Sequence, residues 1–395
     1  MSGPKYRNAS VGGCVDATVE TRADGSQVIR STEALSPYPD RLTDSLAQWA
    51  REAPDRTFVA RRDRGGDWRR ISYAQMLQRV QAVAQVLVDL KLSVERPVAI
   101  LSDNDIEYLI LALAAMWAGV PYVPVSSAYS LISQDYGKLR HILGTVTPGL
   151  VFASGPAYAK AIAAVVPADV TLVLTEGLGE VAASGLLAGR DVRAFDALLF
   201  AQPGPALAAA HAAIGPDTIA KFLFTSGSTK APKGVINTHR MLCANQQQLR
   251  QCMGFLADEP PVLVDWLPWN HTFGGNHNIG IALYNGGTLY IDDGKPTPKG
   301  IAQTLHNLRE ISPTVYFNVP IGYEAIARAM DTDPQLRRNF YARLSCQLYS
   351  GAALSQAIQD ALHRHAEAAL GERHRRRASR EHAGHPRQEA LSCEG

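Results

Sequence analysis

The chain has 395 residues, 46% hydrophobic and 19% charged, with a net charge of +2. That is enough apolar material for more than one core, and there is no charge excess pointing to nucleic acid or a membrane surface. Five cysteines (Cys14, Cys243, Cys252, Cys346, Cys393), odd in number and without a CxxC pair, argue for free thiols in a reducing, cytoplasmic setting rather than a disulfide frame or a zinc site.

The amino terminus, MSGPKYRNAS, has no charged-then-apolar signal pattern. Residues 1–40 are polar, rich in Gly and Ser and without a period, which predicts a loosely held arm. From residue 41 the pattern is helical, with Leu42, Leu46 and Trp49 on one face. A second amphipathic helix is expected over 72–92, a buried strand over 98–101, a helix over 105–118 and a strand over 122–125. The apolar run 108–120 is shorter than the roughly 20 residues a bilayer requires, so it reads as a buried helix.

Strands are expected at 150–153 and 171–175. The Ala/Gly/Pro-rich stretch 185–215, with one short helix, reads as a connector between a first subdomain (41–215) and a second (216–371). Further strands are expected at 220–225, 262–267, 288–291, 315–319 and 344–349. Strand and helix in alternation predict an α/β fold, with mostly parallel sheets flanked by helices.

Residues 222–235, FLFTSGSTKAPKGV, hold the strongest chemical signal. An apolar strand runs into small and hydroxyl residues, and Lys233 and Gly234 close the turn. Successive backbone N–H groups in such a turn can converge on phosphate oxygens, with hydroxyls adding donors and a lysine adding charge. A Walker A loop counted from Gly227 fails, because Pro232 and Gly234 stand where Gly and Ser or Thr are needed. The residues alone leave phosphate binding and an ordinary surface turn both open; two lysines and the preceding buried strand favour phosphate.

TSGSTKAPKGV resembles the signature phosphate loop of the adenylate-forming superfamily, which includes acyl- and aryl-CoA synthetases, peptide-synthetase adenylation domains and luciferases. The likeness covers roughly residues 38–370. Lys230 and Ala231 stand where the family usually has Thr-Gly, and the lysine is similar to a variant seen in feruloyl-CoA synthetases. The resemblance implies the amino-terminal large domain of that fold. It also implies that Thr225, Ser226, Gly227, Ser228, Thr229 and Lys233 cradle the β- and γ-phosphates of ATP.

WLPWNHTFGGNHNIG, 266–280, is similar to the family's acyl-pocket motif, and His271 matches the histidine placed beside the substrate carboxylate. A lone loop histidine is more often structural, and His277 keeps that reading. HExxH spacing is absent and no cysteine is near, so zinc is not expected. PTVYFNVP, 313–320, resembles the strand and turn that line the acyl pocket, implicating Asn318 and Val319; a plain buried strand fits equally well. LYSGAALS, 348–355, is similar to the segment that packs on adenine, which would put Gly351, Ala352 and Ala353 against the base; otherwise it is a strand-to-helix turn. By the same resemblance the substrates are a carboxylic acid, for which an aryl acid such as ferulate is the expectation, with ATP, Mg²⁺ and CoA. The expected products are acyl-CoA, AMP and pyrophosphate, formed through an acyl-adenylate.

The pattern stops near Gly371. Residues 374–395, HRRRASREHAGHPRQEALSCEG, contain no Val, Ile, Met, Phe, Tyr or Trp, and residues 372–395 read as a disordered basic tail. The family's Tyr-Gly-x-Thr-Glu turn, ribose-binding Asp and small carboxy-terminal domain with its catalytic Lys do not follow. His-Arg-Arg-Arg read one base later gives small or apolar residues, so a frame change between about Gly371 and His374 is the expectation, with an incomplete domain and crippled catalysis. The alternatives are a non-catalytic nucleotide-binding remnant and, remotely, a nucleic-acid binder using Arg373 to Arg387.

Overall fold

The computed structural model describes residues 9–13, 16–225 and 231–383, with side chains up to residue 371. The chain forms two compact units, one ending at Asp292 and one starting at Asp293.

The first unit opens with a hairpin of β1 (Ala17–Thr21) and β2 (Gln27–Ser31). The expected arm is therefore partly ordered. Gln251 fastens the segment behind the hairpin: its Oε1 accepts the Ser36 N–H at 2.9 Å, and its Nε2 donates to Glu33 Oε1 at 3.0 Å. Next come β3 (Thr57–Arg62) and β4 (Trp68–Ser72), a hairpin the sequence reading missed, then β5 (Val98–Ile100), β6 (Tyr122–Pro124), β7 (Leu150–Ala153), β8 (Thr171–Leu174) and β9 (Val192–Ala194). β10 (Ile219–Thr225), β11 (Lys233–Thr238), β12 (Val262–Asp265) and β13 (Thr288–Ile291) complete this unit.

Seven of these strands make one sheet in the order β11-β10-β6-β5-β7-β8-β9, parallel except for the edge strand β11. Strands covered on both faces read as unbroken apolar runs, and every residue of β5, β6, β7 and β8 is buried. Helix Ile106–Ala118, buried at all thirteen positions, covers part of the sheet. Asp105 caps it through the Tyr108 N–H, and Gly119 ends it in the left-handed region at φ 72°. Helix Tyr73–Asp89 begins with a Ser72/Gln75 capping box. Leu101, Val123, Val151 and Leu172 belong to a second buried layer with Leu139, Ile142 and Ile162 of the helices Gly137–Val146 and Ala159–Val165. A four-stranded sheet in the order β12-β13-β3-β4 completes the unit.

The connector expected at 185–215 is corrected by this topology. It contains β9, which pairs with β8, and two short helices, Phe195–Leu198 and Pro205–Ala212. The sheet then continues past residue 215, because β10 pairs with β6. An Ala/Gly/Pro-rich sequence with a three-residue strand carries no readable period, which is why the element was invisible.

In the second unit, β14 (Val315–Asn318) and β15 (Cys346–Tyr349) pair in parallel among the helices Ile301–Glu310, Pro320–Thr332, Pro334–Phe340 and Gln356–Ala383. The last helix carries the backbone through the first part of the expected tail, as far as Ala383.

Candidate active site

β10 runs parallel to β6, so the chain leaves β10 at the carboxyl end of the parallel strands, where α/β sheets place their ligands. It returns as β11, and Thr225 and Lys233 are cross-strand partners. The expected phosphate loop thus closes a hairpin whose two end residues are both exposed. Ser226, Gly227, Ser228 and Thr229, with Lys230, lie outside the described residues. Pro232 is buried, and its carbonyl lies 3.0 Å from His141 Nε2.

The segment carrying His271 leaves β12 at Asp265. Burial pushes the Asp265 carboxyl up to about 7, and its Oδ1 accepts the Leu267 N–H at 3.1 Å. Asn104, in the turn after β5, clamps the next stretch: Nδ2 donates to the Leu267 carbonyl at 2.9 Å and Oδ1 accepts the Trp269 N–H at 3.0 Å. The Trp269 ring is buried and meets Tyr108 edge-on at 5.2 Å. A one-turn π-helix, Phe273–Asn278, follows His271; such widened turns are rare and recur at functional sites. Gly275 donates its N–H to the His271 carbonyl at 2.8 Å. A Cβ on Gly275 would lie 2.1 Å from the Trp269 carbonyl oxygen, so only glycine fits this turn.

The His271 ring is exposed, and its Nδ1 accepts the Phe273 N–H at 3.4 Å. In the neutral ring Nε2 then carries the proton, a donor suited to a carboxylate. His277 differs: Nδ1 lies 2.8 Å from Asn278 Oδ1, the ring meets Phe273 edge-on at 5.4 Å, and burial lowers its pKa.

Three side chains outside the expected set fix the π-turn. Lys221, inside β10, donates from Nζ to the Gly275 carbonyl at 3.0 Å and to the Tyr122 hydroxyl at 3.1 Å. Burial alone lowers its pKa, to about 7. Asn237 of β11 accepts from Asn276 Nδ2 at 3.0 Å, and Gln246 donates to the Asn276 carbonyl at 3.1 Å. The one available sequence signal was a lysine inside an otherwise apolar strand, AKFLF.

In the second unit Asn318 is buried. Its Nδ2 donates to the Tyr316 hydroxyl at 3.0 Å and its Oδ1 accepts the Val319 N–H at 2.8 Å, so both ends of the amide are used within the strand end. Ser350 donates its N–H to the Asn318 carbonyl at 3.3 Å, and Gly351 follows at φ 90°, in the left-handed region that glycine favours. Gly351, Ala352 and Ala353 form an exposed turn before helix Gln356–Ala383.

Residues 46–372 match the AMP-binding enzyme family. The chain belongs to that family. The chain is 27% identical over 279 residues to the 3-[(3aS,4S,7aS)-7a-methyl-1,5-dioxo-octahydro-1H-inden-4-yl]propanoyl:CoA ligase of Rhodococcus jostii (strain RHA1), covering 69% of this chain and 51% of that one. It is 23% identical over 296 residues to a 4-chlorobenzoate–CoA ligase of an Arthrobacter species, covering 73% of this chain and 49% of that one. In structure it is similar to the fatty acid AMP ligase from Legionella pneumophila, with a TM-score of 0.62 at 16% identity, over 82% of this chain and 52% of that one. The chain thus spans about half the length of these relatives. Among its described residues no helix is long and apolar enough to cross a membrane. No group of three or more His, Cys, Asp or Glu among them could hold a metal ion.

Proposed function

We propose that the chain activates a carboxylic acid with ATP. The acid's carboxylate oxygen attacks the α-phosphorus, the bond to pyrophosphate breaks, and an acyl-adenylate forms. The thiolate of CoA then attacks the acyl carbon and AMP leaves. One observation carries this reading. Both strands that bracket the expected phosphate loop are hydrogen bonded to the turn behind His271, β10 through Lys221 and β11 through Asn237. One rigid hairpin therefore serves both the triphosphate and the acid, as attack at phosphorus requires.

In this reading Thr225, Ser226, Gly227, Ser228, Thr229 and Lys233 hold the β- and γ-phosphates. The His271 Nε2–H donates to the acid's carboxylate and aims it. Gly351, Ala352 and Ala353 receive the adenine, and the Val319 turn borders the acyl group. Mg²⁺ would arrive on the triphosphate, which is its usual mode of binding, and would neutralise charge there. None of the described residues is assigned to it.

For the acid, an aryl carboxylate such as ferulate is the first choice. Lys230 and the 4-chlorobenzoate relative support it. A frame change between about Gly371 and His374 belongs to the same proposal, since the family match runs to residue 372 and the Arg-rich run begins at His374. Coding DNA that shows no Gly-x-Thr-Glu in the alternative frame would refute that part.

Acid-dependent exchange of pyrophosphate into ATP tests the function, with ferulate, 4-chlorobenzoate and medium-chain fatty acids as a panel. Exchange with an aryl acid, weakened by the frame change proposed above, is the expected result. ATP binding without exchange for any acid would leave a nucleotide-binding protein with no adenylating activity.

A further inference from the structure

Lys221 is the only lysine or arginine that is buried among the described residues, at 1% exposure. A lysine inside an apolar strand is costly, because its charge leaves water. Here burial is the only cause acting on it, with no carboxylate to offset the loss. Its two hydrogen bonds go to neutral oxygens, the Tyr122 hydroxyl and the Gly275 carbonyl. A leucine or methionine would fill the same volume without that cost. The lysine is therefore doing something other than stabilising the sheet.

Its connections show what. Lys221 stands four residues before Thr225, in the strand that delivers the expected phosphate loop. It holds Gly275 by the carbonyl, and Gly275 holds His271 by donating its N–H to the histidine's carbonyl at 2.8 Å. Two hydrogen bonds thus lead from the phosphate-loop strand to the backbone of His271. Gly275 cannot drift outward or be replaced, since the Trp269 carbonyl fills the space where a Cβ would sit.

We propose that Lys221 is a positioning residue of the adenylation reaction, fixing the π-turn, and with it His271, against the strand that carries the ATP-phosphate loop. The proposal rests on the carboxylate-activating reading of this site. Lys221 touches neither the acid nor ATP in this scheme. Its loss loosens the placement of the acid and leaves the phosphate loop's own groups in place.

The test compares Lys221→Met, which keeps volume and removes the donor, with Lys221→Gln, which keeps a donor. Three quantities are measured on the full chain: ATP affinity by equilibrium dialysis, the acid's KM in pyrophosphate exchange, and amide hydrogen exchange over residues 271–280. Lys221→Met is expected to raise the acid's KM roughly tenfold, the size of one lost hydrogen bond. ATP affinity should stay within about twofold. Amide exchange should rise over 271–280, and Lys221→Gln should recover part of each effect. A purely structural lysine would instead change stability without splitting the acid's KM from ATP affinity. Wild-type values of the acid's KM and of amide exchange in Lys221→Met overturn the proposal. If no acid supports pyrophosphate exchange by the unmodified chain, the adenylation reading fails. The amide-exchange comparison then still decides whether Lys221 holds the turn.

Discussion

Asn276 donates from Nδ2 to Asn237 Oδ1 at 3.0 Å, joining the π-turn behind His271 to the strand that returns from the expected phosphate loop. Asn237 also donates to the Val235 carbonyl at 3.0 Å, while Asn276 keeps a second acceptor in Thr272 Oγ1 at 3.2 Å. Replacing Asn237 by Ala therefore removes one interelement bond but does not strand the Asn276 amide. A loss of about 1 kcal/mol in unfolding free energy is expected, with the acid's KM raised severalfold. Chemical denaturation and pyrophosphate exchange measure the two effects. An unchanged KM would separate β11 from the acid site.

Lys233 and His271 are both exposed, so neither contributes much packing. Lys233→Ala should weaken ATP binding by roughly 10–100-fold, the loss of one charge-assisted phosphate contact. His271→Ala should leave ATP binding alone and raise the acid's KM. Thermal unfolding of both variants should match that of the unmodified chain. Equal damage to ATP binding from the two substitutions would contradict the division of labour.

Gly275→Ala places a methyl group 2.1 Å from the Trp269 carbonyl oxygen, a backbone atom that cannot swing aside. The turn must shift, at a cost of about 2–4 kcal/mol, and acid-dependent exchange should be lost. Gly144, where a Cβ meets nothing within 4 Å, serves as the tolerant comparison. A stable, active Gly275→Ala variant would mean that the turn is looser than its contacts imply.

His239 gives the chain a specific acid sensitivity. Its Nδ1 accepts the Leu42 N–H at 3.2 Å, and burial, with Arg41 and His211 nearby, lowers its pKa from 6.5 to about 4. A lowered folded-state pKa contributes stability that is present above 6.5 and is lost as pH falls through 4, because the unfolded chain binds the proton first. The full effect is on the order of 3 kcal/mol. Asp105 and Asp265, both raised to about 7 by burial, act with the opposite sign, favouring the fold below their unfolded value and losing that contribution as pH rises through 7. The clean measurement is thus the difference between the stability curves of the unmodified chain and His239→Gln, which should slope between pH 6.5 and 4. A flat difference would show that the imidazole is not held neutral.

Much of the fold could be read directly. The runs 98–101, 150–153 and 171–175 contain the buried parallel strands β5, β7 and β8, and unbroken apolar stretches of that length have few other uses. The β3–β4 hairpin was missed because Arg61, Arg62, Arg69 and Arg70 break the apolar pattern, and only the ladder itself reveals the pairing. β11 was missed because the phosphate-loop motif runs through Lys233 and Gly234, its first two residues.

The sequence by itself determined the family and the order of its motifs: TSGSTKAPKGV, then the His271 segment, then the Gly351 turn. Those motifs are short, local and chemically distinctive. Only the tertiary structure decided how His271 is held. Lys221, Asn104, Asn237 and Gln246 lie 25 to 167 positions from it in the chain, too far for any local pattern to connect them. Each acts by a hydrogen bond to backbone or side-chain amide groups of the segment around His271. A backbone carbonyl looks the same at every residue, so a bond to it leaves no mark in the sequence until the chain has folded around it.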